Sequence, residues 1–197
     1  MKVEIRGATE AVIEGYVNAV GRESRMLPSH KGPFFEIVKP GTFTKALSRA
    51  KSVELRFNHS KVLGSTDDEL RLYEDNIGLY AKATVRDADI IQKAKDGKLK
   101  GWSFGFSTIK DEWRDIDGIQ RRYLEDISLS EVSILDKMPA YIATSIEARD
   151  SENIIIELRC LDDEIEVTDN SVEVRNEPVV LDQYKYQIEI LKLKGGM

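Results

Sequence analysis

A chain of 197 residues, 41% apolar and 32% charged, is long enough for one good core with an appended segment, and no apolar run approaches the roughly 18 residues that a membrane helix needs. The net charge of -6 is spread over bases that acids match, which argues against a phosphate-backbone surface and so against nucleic acid as a partner. Cys160 is the single cysteine and lacks the Cys or His spacing of a zinc site, so a free thiol with no metal and no cofactor is expected; the opening Met-Lys-Val-Glu-Ile-Arg carries no apolar secretion signal, which points to action in a cytoplasm.

Residues 2 to 20 alternate apolar and polar positions and predict two half-buried strands, with Gly15 as a candidate bulge. Pro28, Gly32 and Pro33 punctuate a polar surface loop in which His30 reads as a solvated histidine. Phe34 to Val38 is a short strand, after which Thr42 is the expected N-cap of a helix through about Ala50. Val53 to His59 alternates again, as a strand ending at His59. A histidine there can be held rigidly facing a cleft, although a lone histidine is more often a structural one.

Leu70 to Glu74 and Gly78 to Val85 predict a hairpin across Asp75-Asn76. Asp87 then caps a helix from Ala88 to Lys95, with Ile90, Ile91 and Ala94 as its apolar stripe and Gly97 as its stop. Ser103 falls in the strand that follows, Lys110 to Gly118 reads as a polar hairpin turn, and Ile119 to Leu124 as the returning strand. In the next run, period-2 spacing sets Ile127, Leu129, Glu131, Ser133 and Leu135 on one face. A carboxylate amid apolar neighbours needs a partner, and a histidine nitrogen would serve Glu131. The bland alternative puts Glu131 in solvent and Val132 and Ile134 in the core.

Beyond Ala148 the character changes. Between Glu147 and Asp182 twelve acids face three bases, the mark of a loosely packed, solvated chain. Two units result, residues 1–148 and an acidic tail over 149–197, the latter a docking or removable element. Ile154 to Ile156 is a candidate local strand, and Asp182 to Lys194 a short amphipathic helix suited to docking or self-association.

Gly101-Trp102-Ser103-Phe104-Gly105-Phe106 contains the Gly-x-Ser-x-Gly pattern of a nucleophile elbow. That fold, however, orders its triad serine, acid, histidine, and no histidine follows Ser103. An α/β-hydrolase or general esterase therefore fails on order. The structural alternative makes Ser103 an ordinary strand residue, with Gly105 marking a bulge or a close approach of backbones.

In combination, Phe-Asn-His59-Ser, Gly-Trp-Ser103-Phe-Gly-Phe and Glu131-Val-Ser-Ile-Leu-Asp-Lys-Met-Pro-Ala-Tyr resemble the prohead maturation proteases of tailed bacteriophages over roughly residues 3 to 147. Phe35-Glu36, Pro40-Gly41-Thr42-Phe43, Val62-Leu63-Gly64 and Gly78-Leu79 extend the likeness. That family is similar in fold to herpesvirus assemblins. The resemblance implies a mainly β (α+β) protein, a mostly antiparallel β-barrel with a few covering helices. It also implies His59 as general base, Ser103 as nucleophile and Glu131 as orienting acid, with Asp126 and Asp136 as competitors for the third place, since herpesvirus relatives use a histidine there. By the same analogy the turn Lys137-Met138-Pro139-Ala140 is the candidate source of oxyanion donors. The implied role is cleavage of capsid scaffolding segments, and of itself, inside the immature prohead in the host cytoplasm, with the phage major capsid protein as partner and a homodimer or higher self-association. No membrane is involved. A non-enzymatic scaffold or capsid-assembly protein that keeps the fold is the alternative from another class.

Overall fold

Alternating side chains build most of what the computed structural model of the chain describes, namely residues 1–29, 32–137, 147–148, 155–160 and 165–171. One sheet takes β1 (Lys2–Arg6), β2 (Glu10–Ala19), β6 (Leu70–Glu74), β7 (Gly78–Val85) and β12 (Glu166–Asp169) in the order β12-β1-β2-β7-β6. The other contains β3 (Phe34–Val38), β4 (Glu54–Phe57), β5 (Lys61–Ser65), β8 (Gly101–Ile116), β9 (Ile119–Leu135), β10 (Glu147–Ala148) and β11 (Ile155–Cys160), ordered β10-β11-β8-β9-β4-β5 with β3 also on β9. The fold is mainly β, and its sheet curls into a half-barrel where a barrel was expected. Most pairings are antiparallel, but β1 with β12, β3 with β9 and β4 with β9 run parallel.

Two helices, α1 (Thr42–Arg49) and α2 (Ala88–Lys95), cover apolar surface. From α1, Phe43 meets Phe104 of β8 edge-on at 5.4 Å, and Phe104 stacks on Phe106 at 5.2 Å, a buried aromatic row beneath the strand that carries Ser103. Truncating such a ring to alanine costs about 3–5 kcal/mol. Asp87 caps α2 as expected, accepting from the Ile90 N–H at 3.3 Å. The cap of α1 differs from the expectation. Gly41, with φ 85°, is the N-cap and Thr42 the first helical residue; the Glu74 carboxylate of β6 accepts from the N–H groups of Gly41 (2.7 Å) and Thr44 (2.6 Å). No helix among the described residues is long and apolar enough to cross a membrane.

Three further expectations change. The bulge in β2 falls between Tyr16 and Asn18, not at Gly15, whose missing Cβ instead makes room for the Met1 backbone at 3.1 Å. Lys110 to Ile116 is strand and only Asp117-Gly118 turns, because the polar alternation belongs to an exposed ribbon whose arms pair by charge, Lys110 with Glu125 and Arg122 with Asp111. In β9 the register slips between Gly105 and Phe106, leaving Ser130 unpaired in the ladder while its hydroxyl donates to the Gly105 carbonyl at 2.8 Å. An extra residue inverts the face of everything after it. Ile127 and Leu129 therefore share the core with Val132 and Ile134, and Glu131 and Ser133 turn to the opposite face.

Beyond residue 148, β11 pairs antiparallel with β8 and β12 parallel with β1, so parts of the acidic segment are built into both sheets. His30 and the helix expected from Asp182 to Lys194 lie outside the described residues.

Candidate active site

The face that Glu131 joins after the bulge is the one that carries Ser103. Across the β8–β9 ladder Gly105 is opposite Glu131 and Ser103 opposite Ser133, while on the far side of β9 the parallel β4 sets Glu54 beside Glu131 and Arg56 beside Ser133. Directly opposed residues bring their side chains within about 5 Å of one another. Two serines, a glycine, two carboxylates and a guanidinium thus share one patch.

His59 reaches this patch through an unusual turn. The strand stops at Phe57, two residues short of the expected end, and Asn58 and His59 adopt left-handed conformations with φ 49° and 61°. Such conformations cost a non-glycine residue about 1–2 kcal/mol each, and specific bonds offset that here. Asn58 donates its side-chain N–H to Asp136 Oδ1 at 2.8 Å and accepts the Asp136 backbone N–H at 3.2 Å; the His59 backbone N–H donates to Ser133 Oγ at 2.8 Å. The ring then lies with Nδ1 2.8 Å from Glu131 Oε1.

Glu131 is only 4% exposed. Its second oxygen, Oε2, lies 2.8 Å from Arg56 Nε, but that N–H is aimed at Glu54 Oε2 at 2.6 Å. Oε2 is therefore charge-compensated yet without a hydrogen-bond donor among the described residues. Gly105 is what lets the carboxylate lie there: a Cβ at that position would stand 2.8 Å from Glu131 Cγ and 2.9 Å from Oε1. The second glycine of the Gly-x-Ser-x-Gly pattern thus serves a close approach as well as a bulge.

Ser103 is 1% exposed, and its hydroxyl donates to the Arg159 carbonyl oxygen at 2.5 Å, toward β11 and away from β9. The competing acids are engaged elsewhere. Arg49 forks onto Asp126 and holds its carboxyl below the usual range. Burial pushes the Asp136 carboxyl up, but bonds from Asn58 and from Lys93 at 3.0 Å bring it below its ordinary value. Of the turn considered for oxyanion donors, Met138 to Ala140 lie outside the described residues. An open groove of about 750 Å³ is lined by Glu54, Arg56, Ser130, Glu131 and Leu158 among others, and reaches this patch at Glu131 with neither His59 nor Ser103 in its wall.

Sequence reasoning passed over Ser133 and Arg56, which touch His59 and Glu131, and a buried charge network behind Ser103. In it Arg159 forks onto Glu36 (2.7 and 2.8 Å) and Arg122 onto Glu157 (2.6 and 2.9 Å), joined by an Arg159–Glu157 contact at 2.8 Å. Burial alone would push the Glu157 carboxyl up, but the bonded Arg122 and the charge of Arg159 hold it down at about 2. Only the Glu-x-Arg spacing of 157 and 159 could have hinted at it.

An imidazole backed by a buried carboxylate beside strand hydroxyls is equipped to move a proton to and from a serine, the work of serine hydrolases. The sequence profile of the caudovirus prohead serine proteases matches residues 1–155, and the chain belongs to that family. Neither a curated protein nor a solved structure matches it. Membership makes it a serine peptidase of phage capsid maturation, one that meets capsid proteins within the procapsid in the host cell.

Proposed function

We propose that the chain is a serine endopeptidase in which Ser103 is the nucleophile, His59 the general base and Glu131 the orienting acid, and that it removes scaffolding segments from capsid subunits, and cleaves itself, as the head matures. The observation that carries this reading is the contact between His59 Nδ1 and Glu131 Oε1. With Nδ1–H donated to the carboxylate, Nε2 is the basic nitrogen, and Glu131 stabilises the imidazolium that forms. In the reaction Ser103 Oγ bonds to the scissile carbonyl carbon as its proton passes to His59. The C–N bond then breaks as that proton reaches the leaving amine, and water hydrolyses the ester to restore the hydroxyl. This chemistry requires the Ser103 hydroxyl to leave the Arg159 carbonyl and turn to His59.

The division at residue 148 belongs to the same proposal. Residues 1–148 act as the protease and the segment from 149 as a docking or removable element, of which β11 and β12 are the parts that pair with β8 and β1.

One observation favours a second reading. A nucleophile 1% exposed and bonded to a backbone carbonyl is also what an assembly protein with no enzymatic role would present. Co-expression with the phage capsid protein separates the two by intact mass: the protease reading expects a shortened capsid subunit with the wild-type chain and a full-length one with Ser103→Ala, whereas full-length subunits in both support the assembly protein.

A further inference from the structure

Strand β11 lies on β8 as an extended peptide would lie in a protease channel. Cys160 is opposite Ser103, Arg159 opposite Phe104, Leu158 opposite Gly105 and Glu157 opposite Phe106, and the carbonyl that accepts the Ser103 hydroxyl belongs to the Arg159–Cys160 bond. Strand addition of this kind takes affinity from main-chain bonds and specificity from pockets for alternate side chains.

Those pockets are present. Leu158 turns to the open groove, where its Cδ2 would meet a Cβ at Gly105 at 3.1 Å. Arg159 and Glu157 turn to the other face and are buried. The Arg159 guanidinium lies over the Phe106 ring at 5.3 Å and forks onto Glu36, itself 4% exposed. Glu157 takes the fork of Arg122 and the Thr108 hydroxyl at 2.7 Å. A paired fork of this geometry distinguishes arginine from lysine, and a buried charge left without its mate is strongly disfavoured. Holding a strand in place needs no such chemistry, since apolar side chains of similar volume would do it as well.

We infer that the β8 edge from Ser103 to Phe106 is the peptide channel of this site, that β11 is its resident occupant, and that Glu36 and Arg122 select substrates with arginine immediately before the cleaved bond and glutamate two residues earlier. The assignment rests on Ser103 as the nucleophile. It deepens that reading by naming the substrate class: extended peptides of the form Glu-x-Arg, with the middle residue unselected.

The test uses the full chain and three internally quenched peptides. One carries Ile-Ile-Glu-Leu-Arg-Ser-Leu, one has citrulline for its arginine, and one has glutamine for its glutamate. A fluorophosphonate label at Ser103 is read in parallel. Citrulline should lower kcat/KM by at least about 100-fold and glutamine by at least about 10-fold, because each leaves a buried partner unpaired. In Glu36→Gln the arginine-over-citrulline ratio should collapse while Ser103 still labels; if that variant does not fold, the three peptides with the wild-type chain decide alone. A chain that labels at Ser103 yet turns over all three peptides alike, or none of them, overturns the selection by Glu36 and Arg122. A chain that does not label at Ser103 overturns the nucleophile assignment beneath it.

Discussion

His59 Nδ1 stands 2.8 Å from Oε1 of Glu131, 72 positions further along the chain, because β4 lies parallel to β9 with Glu54 beside Glu131 and then turns back on two left-handed residues. The contact depends on backbone geometry at each end. Ser133 and the Asn58–Asp136 pair fix the turn, and the missing Cβ at Gly105 fixes the carboxylate.

Ser133 acts through His59, so Ser133→Ala removes the acceptor of the His59 backbone N–H. An unsatisfied donor of this kind costs about 1–3 kcal/mol, and the turn loosens. Steady-state kinetics should show kcat falling with KM unchanged, and Ser133→Thr should restore most of it. Equal loss in both variants, or a change confined to KM, would count against a positioning role.

Gly105→Ala forces its Cβ against Glu131. A carboxylate displaced by about 1 Å costs on the order of 100-fold in rate. The variant should keep the wild-type far-ultraviolet circular dichroism while its fluorophosphonate labelling slows by about that factor. Labelling at the wild-type rate would show that the carboxylate is not needed where it lies.

Arg159→Ala takes the mate from Glu36 and weakens the hold of β11 on β8. Removing one partner of a buried pair costs about 3–5 kcal/mol, which here favours release of the strand covering Ser103. Labelling of Ser103 should accelerate, with Arg159→Lys intermediate, and amides 155–160 should exchange faster. Faster exchange without faster labelling would remove β11 as the obstruction.

The same network predicts an acid transition. The Glu157 carboxyl is depressed from an ordinary 4.5 to about 2, so its contribution is complete above about pH 4.5 and is lost as the pH falls toward 2. Hydrogen exchange, corrected for intrinsic rates, should show amides 155–160 losing protection in that window before those of β1 and β2. Simultaneous loss in both regions would mean that the network does not hold β11 separately.

Much of the fold was legible because it is local. Alternation gave β1, β2 and β4, the turn at Asp75-Asn76 gave the β6–β7 hairpin, and the Asp87 cap and Gly97 stop bracketed α2. What was illegible depends on partners distant in sequence. The bulge at Ser130 has no composition of its own, yet it decides that Glu131 leaves the face of Ile127 and Leu129. The polar arms at Lys110 to Ile116 looked like a turn because their charges are matched across the ribbon, and β11 was anticipated only as a local strand at Ile154 to Ile156 because the mates of Glu157 and Arg159, Arg122 and Glu36, lie far away in sequence. The period-2 face singled out Glu131 as a carboxylate wanting a histidine, but the roles of His59, Ser103 and Glu131 came from resemblance, since periodicity says nothing of which partner lies 72 positions away.

The most direct measurement is intact mass after fluorophosphonate treatment of the wild-type chain, Ser103→Ala and His59→Ala, with peptide mapping of the adduct. The account predicts one adduct on Ser103 in the wild type, none in Ser103→Ala, and labelling slowed by at least about 1,000-fold in His59→Ala. An adduct on another residue, or labelling of Ser103 at the same rate without His59, would contradict it.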